Sequence, residues 1–337
     1  MKLFNILFTL FGVVTVIFFL FQILPGDPAR MMMDQNEDVE QLEIIKKKYG
    51  FDEPILNQYL YYLNDLSIIS IHSKNPEKIN FIRENKYSFT KIYDFQNSTL
   101  VLKFPYLRES YQRRGVKVST IIMDTFPNTV VLAISSILFA TVFGLLLGIL
   151  SALYKETLFD NSIQLFSTFG MSMPSFLSSI IFAWIFGFVL ADITGLNMTG
   201  SLFELDDFGD EYRLELKNLI LPSIVLGIRP IAVISMMMRN SLIETLKKNY
   251  VITAYAKGLS KSKVILNHCL KNSLNPVITA LSGWFASLLA GSVFVEYIFG
   301  WNGLGREIVN SLNLLDVPVI IGAVIVVSFS FIMINIF

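Results

Sequence analysis

Six long apolar stretches divide this chain: Leu3–Leu24, Pro127–Leu153, Asn161–Ala191, Leu219–Leu242, Val277–Val295 and Val317–Phe337. Each is about long enough to cross a bilayer as a helix. The first is led by Lys2 and closed by Pro25-Gly26-Asp27-Pro28, where proline removes an amide donor and glycine permits a turn. A cleaved leader has a shorter apolar core ending at small residues, so this run is read as a retained span. A span led by Lys2 starts in the cytoplasm, and six spans return the C-terminus there. In the second stretch Gly144 and Gly148 lie four apart, a spacing that lets helices approach closely. In the third, Met171-Ser172-Met173-Pro174-Ser175 predicts a bend. A structural kink and a hinge lining a pathway both remain open there.

The polar segments are unequal. Residues 25–119 form a long extracytoplasmic region. Val39–Lys48 has helical spacing and reads as a solvated rim helix, and Gln58–Leu66 reads as a second amphipathic helix. His72–Lys103 reads as an inserted loop of moderate order, with His72 a surface histidine. Asp192–Lys217 is an acidic outer connection that includes Asp207, and Glu296–Asp316 is a second outer loop. The organisation is thus a first span over 1–24, the outer region with its insertion at 72–103, and a core of five spans over 120–337.

Composition sharpens this to an all-α polytopic membrane protein. Only 16% of residues are charged and 53% are hydrophobic, whereas a soluble domain carries about a quarter charged. Zero net charge gives no bulk attraction to nucleic acid. The single Cys269 excludes an internal disulfide, and two distant histidines, His72 and His268, argue against a metal or His-based catalytic cluster. P-loop spacing is absent, so the chain is not itself a P-loop ATPase. Nor do the spans offer the paired acids or His–carboxylate pair of an intramembrane enzyme. Arg229 falls near the middle of the fourth span, beside Pro230. It either bonds backbone carbonyls freed by that proline or lines a wet pathway. Arg239, nearer the cytoplasmic end, is expected to snorkel.

One polar stretch stands out. Glu244–Pro276 lies between the fourth and fifth spans and holds six lysines against one acid. That excess places it in the cytoplasm. Two short helices are predicted, Leu242–Ala256 and Lys261–Leu270, separated by Gly258, with Ser260 as N-cap of the second. The small residues before Gly258 suit a compact knob for a partner, while the lysines equally suit acidic lipid headgroups. The residues alone leave both readings open.

Here a family resemblance enters. Tyr250-Val251-Ile252-Thr253-Ala254-Tyr255-Ala256-Lys257-Gly258-Leu259, followed by His268-Cys269-Leu270-Lys271-Asn272-Ser273-Leu274-Asn275-Pro276-Val277, resembles the cytoplasmic EAA loop of bacterial ABC importer permeases. The variant resembled is that of the dipeptide/oligopeptide/nickel family, in its first (B-type) permease subunit. Pro25-Gly26-Asp27-Pro28, Leu221-Pro222 with Val225-Leu226-Gly227, Arg239-Asn240-Ser241-Leu242, and Glu296 with Ile298-Phe299-Gly300-Trp301-Asn302-Gly303-Leu304-Gly305 match the same family. The resemblance covers nearly the whole chain in order.

It implies a type I importer permease fold in the bacterial inner membrane. It also implies a coupling helix docking on an ATPase through Tyr250, Thr253, Ala254, Ala256, Lys257, Gly258 and Leu259. The implied partners are a second (C-type) permease subunit, two ABC ATPase subunits that hold ATP and Mg, an extracytoplasmic substrate-binding protein and membrane lipid. The chain itself would be non-catalytic and bind no cofactor or metal. Arg229, Met173, Pro174 and Ser175 are the candidates for the translocation path. Peptide is the expected cargo, with nickel or glutathione as alternatives within the family and an ion-coupled secondary transporter as the alternative outside it. Four departures stand. Ile252-Thr253-Ala254 stands where many other ABC importers have Glu-Ala-Ala, a Glu this family often lacks. The His72–Lys103 segment is longer than the family's usual loop and reads as an uninvolved insertion rather than a contact for the binding protein. Asn275 replaces the usual Leu before Pro276, and the sequence stops at Phe337 without the family's short basic tail. The last of these is compatible with a longer natural chain.

Overall fold

The computed structural model describes residues 2–23, 27–33, 39–76, 78–82, 86–206 and 209–336. Leu24, Pro25 and Gly26 of the expected helix stop lie outside the described residues, as do Asp207 and Phe337. The chain divides into two compact units, Met1–Asp124 with Ile308–Val326, and Thr125–Glu307 with Val327–Phe337.

The first unit opens with α1 (Lys2–Ile23), whose Ile6–Gln22 stretch is apolar throughout all but its end. Asp27 then caps the short α2 (Pro28–Met31), its carboxylate accepting from Ala29 N at 3.0 Å. The two amphipathic segments form as expected, as α3 (Val39–Tyr49) and α4 (Ile55–Leu66). No residue of α3 is buried, in keeping with a rim helix. Tyr59 and Tyr62 of α4 pack on Val14 and Phe18 of α1.

The segment expected to be a loop is instead a sheet. β1 (Ile69–Ser73), β2 (Phe89–Asp94) and β3 (Ser98–Lys103) form an antiparallel layer in the order β1-β3-β2, with Ile71 opposite Leu100. Apart from the buried Val101, the polarity of β1 and β3 is inverted. Ser70, His72, Thr99 and Lys103 are buried, while Ile69, Ile71 and Leu102 are exposed. A polar inner face hides the usual signal of a half-buried strand, which is apolar-in and polar-out. His72 is therefore a buried histidine, not a surface one. Asn80 O only accepts, so Nδ1 donates to it at 3.1 Å and Nε2 accepts from Ser70 Oγ at 3.0 Å. Burial lowers the His72 pKa, and the nearby Lys103 charge adds to this. Asp65 collects the other buried groups: its carboxylate accepts from Tyr87 Oη at 2.8 Å and Arg108 Nε at 3.0 Å, and its carbonyl accepts from Lys103 Nζ. Burial pushes the Lys103 ammonium down to about 8.

In the second unit the apolar stretches become helices of unequal shape. α5 (Val118–Leu153) starts nine residues before the expected Pro127, which it accommodates internally. α6 (Leu158–Ser172) and α7 (Ser175–Trp184) make a 108° turn at Met173–Pro174, the expected bend site. α7 continues as a π-helical turn, Ile185–Val189, then α8 (Ala191–Thr194). A hairpin of β4 (Phe203–Leu205) and β5 (Tyr212–Leu214) leads into α9 (Lys217–Leu246).

After α9 come α10 (Asn249–Ala256) and α11 (Lys261–Val264), then a π-helical turn, Ile265–Cys269, into α12 (Leu270–Ser273). α13 (Asn275–Gly291) follows at a 48° bend. The outer loop expected at Glu296–Asp316 is largely helical, with α14 (Val293–Phe299) and α15 (Leu304–Leu314). α16 (Val317–Ile336) ends the described chain. By length and composition three helices can cross a membrane, or five if each bent pair counts as one span. α1 contributes a shorter apolar stretch, Ile6–Gln22, outside that count.

The glycine pair in α5 does what its spacing suggested. A Cβ on Gly144 would lie 2.8 Å from Ile234 Cβ, and one on Gly148 would lie 2.6 Å from Ser235 O. α5 and α9 therefore touch backbone to backbone.

Candidate functional site

The loop after α9 is built from two breaks and one supported face. Leu246 ends α9, and Lys247-Lys248 turn the chain rather than continuing the helix to Ala256 as expected. Gly258 supplies the second break at φ +78°, a conformation that strains any residue with a Cβ. Ser260 occupies the N-cap position of α11, but its hydroxyl makes no capping bond there.

Between the breaks, Val251 and Ala254 of α10 point inward, three residues apart. They pack with Met238 and Leu242 of α9 and with Val264 and Cys269. Tyr250 Oη accepts from Asn272 Nδ2 at 2.9 Å, tying α10 to α12. Tyr250, Thr253, Ala256, Lys257 and Gly258 are exposed, and Leu259 is half-buried. Ala254 thus supports the helix from beneath. Two further exposed apolar residues, Ile252 and Tyr255, share the outer surface. Their three-residue spacing, offset from Val251 and Ala254, is the signal that identifies them.

The second candidate group comes together at the α6–α7 turn. Arg229 Nε and Nη2 donate to Met173 O at 3.3 and 3.1 Å. The accepting carbonyl is freed by the break before Pro174, not by Pro230 beside the arginine. Ser175 lines the same small cavity, of about 60 Å³, with Arg229, Trp284 and Ser287. Pro174 sets the turn and does not line the cavity. The Arg229 side chain is exposed and makes no ion pair among the described residues.

A third constellation escaped the sequence. Arg239 does not snorkel: its Nε and Nη2 meet the two oxygens of Asp160 at 2.7 and 2.6 Å. Asp160 is fully buried in the first turn of α6 and also accepts from Ser151 Oγ, Glu156 N at 2.9 Å and Gln164 Nε2 at 3.1 Å. Two parallel charge-assisted bonds of this kind are strong and directional. They pin the α5–α6 turn to α9, ten residues before α10 begins. The available signal was Thr157, an N-cap accepting from Asp160 N, followed by a lone acid at the head of an apolar helix.

Glu296, like Asp160, is a fully buried carboxylate. Its carboxylate accepts from Ser292 Oγ at 2.7 Å, Gly305 N at 2.6 Å and Arg306 N at 3.2 Å. It thereby satisfies the orphan amides at the start of α15. Trp301 Nε1 donates to Asn128 O at 3.0 Å, locking the same loop onto α5. These bonds explain why Glu296 and the Phe299–Gly305 run occur together.

The comparisons with known proteins agree with this architecture. Residues 144–337 match the family described as the binding-protein-dependent transport system inner membrane component. Residues 1–81 match the N-terminal membrane component of such systems. The chain is 32% identical to a di/tripeptide transport system permease protein of Pseudomonas aeruginosa, over 97% of this chain and 90% of that one. It is 32% identical to a dipeptide transport system permease protein of Lactococcus lactis, over 95% and 88%. It is 30% identical to a glutathione transport system permease protein of Escherichia coli, over 99% and 92%.

Proposed function

This chain belongs to the family of inner membrane components of binding-protein-dependent transport systems, and on that premise we propose that it forms half of a peptide pathway moved through α10. As a member it is a multi-pass permease subunit of an ABC importer. The reading gives it a second, C-type permease subunit, two ATPase subunits that bind ATP and Mg, and an extracytoplasmic binding protein that delivers cargo. The chain carries out no chemistry of its own. Both termini face the cytoplasm, with the basic loop around α10, and the β1–β3 layer faces outward.

The observation that carries the reading is the two-sided build of α10. Its inner face is fixed to α9 and to the segment leading into α13 through Val251 and Ala254. Its outer face carries Tyr250, Ile252, Thr253, Tyr255 and Ala256, all exposed. A push on that outer face is transmitted to α9 and α13 because the inner face is packed, and packed interfaces move as bodies rather than deform. ATP binding on the partner subunits would draw the coupling helices together and open the pathway outward. Hydrolysis would return it inward. That is a two-state element biased by nucleotide. Peptide is the favoured cargo because the relatives are named as permeases for di/tripeptides, dipeptides and glutathione.

The test is Gly258→Arg in the whole importer reconstituted in vesicles. A Cβ at Gly258 meets no atom within 4 Å, so the change strains the break without disturbing the core. Substrate-stimulated ATP hydrolysis and uptake are expected to fall by ~100-fold while the chain still inserts, as befits loss of a few kcal/mol of contact. Normal stimulated hydrolysis would overturn the role of α10. Uptake that survives removal of ATP but collapses with an uncoupler would instead favour an ion-coupled transporter.

A further inference from the structure

The cavity beside Arg229 is rich in hydrogen-bond donors and holds one positive charge. A guanidinium carries five N–H donors and no acceptor. Two of the five in Arg229 go to the single Met173 carbonyl, leaving both Nη1 hydrogens and one on Nη2. Among the described residues, Ser175 Oγ, Ser287 Oγ and Trp284 Nε1, which line the same cavity, also have no partner. No carboxylate of the described chain pairs with the arginine. Everything unspent at this site can donate, and the only fixed charge is positive. A bare metal cation would be repelled there. A small anionic acceptor would find donors on several sides.

The size selects further. About 60 Å³ is room for roughly two waters, which suits a single carboxylate and not a whole peptide. The site also stands at the sharpest turn in the spans, where Pro174 forces the Met173 carbonyl out of its helix. A charged side chain at such depth faces a wet cavity or a protein interior, not lipid. We infer that Arg229, with Ser175, Trp284 and Ser287, is a way-station for the free carboxylate of the cargo. The importer therefore takes peptides with an open C-terminus and discriminates against their amides. This rests on the peptide-permease reading above and adds the group by which cargo is held inside the membrane.

The experiment uses the complete importer in proteoliposomes, with its binding protein saturated in turn by a labelled dipeptide and by the same dipeptide as its C-terminal amide. Saturation removes the binding protein's own preference. Wild type is expected to import the acid about 10-fold or more faster than the amide, the worth of one charge-assisted bond. Arg229→Gln is expected to lower acid uptake to the amide's rate. A wild-type acid-to-amide ratio in Arg229→Gln overturns the carboxylate site while leaving the permease reading intact. Absence of ATP-driven uptake of either peptide by wild type overturns the peptide reading, and the inference with it. Should Arg229→Gln not assemble, Ser287→Ala combined with Trp284→Phe removes donors and leaves the arginine. That pair is expected to cut the ratio about 3-fold or more, and an unchanged ratio overturns the site.

Discussion

Two arginines lie ten residues apart on α9 and meet opposite surroundings. Arg239 is closed: both oxygens of a buried Asp160 accept from it, and that carboxylate is bonded again by Ser151, Glu156 and Gln164. Arg229 is open: it holds one carbonyl, keeps three donors and lines a small cavity with its side chain exposed. In a low-dielectric span an unpaired arginine costs about 2.5–3.5 kcal/mol on insertion scales, so its retention calls for a function or an outside partner. A paired and fully bonded one needs only its place in the structure. The difference separates a brace from the proposed carboxylate site.

The strongest way to break this contrast is to unpair the brace. Asp160→Asn leaves Arg239 charged and half-buried with no counter-charge, and is expected to destabilise the protein by about 3 kcal/mol, read as a lowered melting temperature in detergent. Arg229→Gln, in the same assay, is expected to stay within about 1 kcal/mol of wild type, because losing the bonds to Met173 O is offset by removing an unpaired charge. Equal destabilisation of the two variants would erase the distinction.

A second closed centre sharpens it. Glu296→Gln keeps the shape but replaces one acceptor facing the α15 amides by a donor. The expected loss is about 1–3 kcal/mol by the same melt. No loss would mean that the carboxylate is not what holds the Gly303–Arg306 turn.

The smallest effect is expected at His72, closed by hydrogen bonds alone. Its folded pKa is lowered, first by burial, so the unfolded state takes up the proton more readily. The stability contributed by the neutral ring is thus present above about pH 6.5 and falls as pH drops below that value. Hydrogen exchange in residues 69–73 and 98–103, corrected for its intrinsic rate, is expected to speed up between about pH 7.5 and 5.5. The same acceleration in His72→Gln would overturn the assignment to this ring.

Legibility differed by region for a physical reason. The spans were readable because burial in lipid demands long apolar runs, and α3 and α4 because their apolar residues recur at helical spacing. The sheet at 69–103 was not, because Ser70, His72, Thr99 and Lys103 are buried beside Val101 while Ile69, Ile71 and Leu102 are exposed, largely the reverse of the usual pattern. In the loop after α9 the Gly258 break was legible, since a positive φ favours glycine. The break at Lys247-Lys248 was not, because lysine is as much at home in a helix as in a turn.

What the sequence determined by itself was the membrane character, the basic loop before the fifth span and the family to which its motifs belong. Those depend on local composition and on order along the chain. Only the tertiary structure decided what each polar residue in the spans does. Asp160 and Arg239 are 79 positions apart, and Arg229 and Met173 are 56 apart. Whether a charge is paired depends on which helices pack together and how closely. In α5 and α9 that closeness was set by two glycines that leave no room for a side chain.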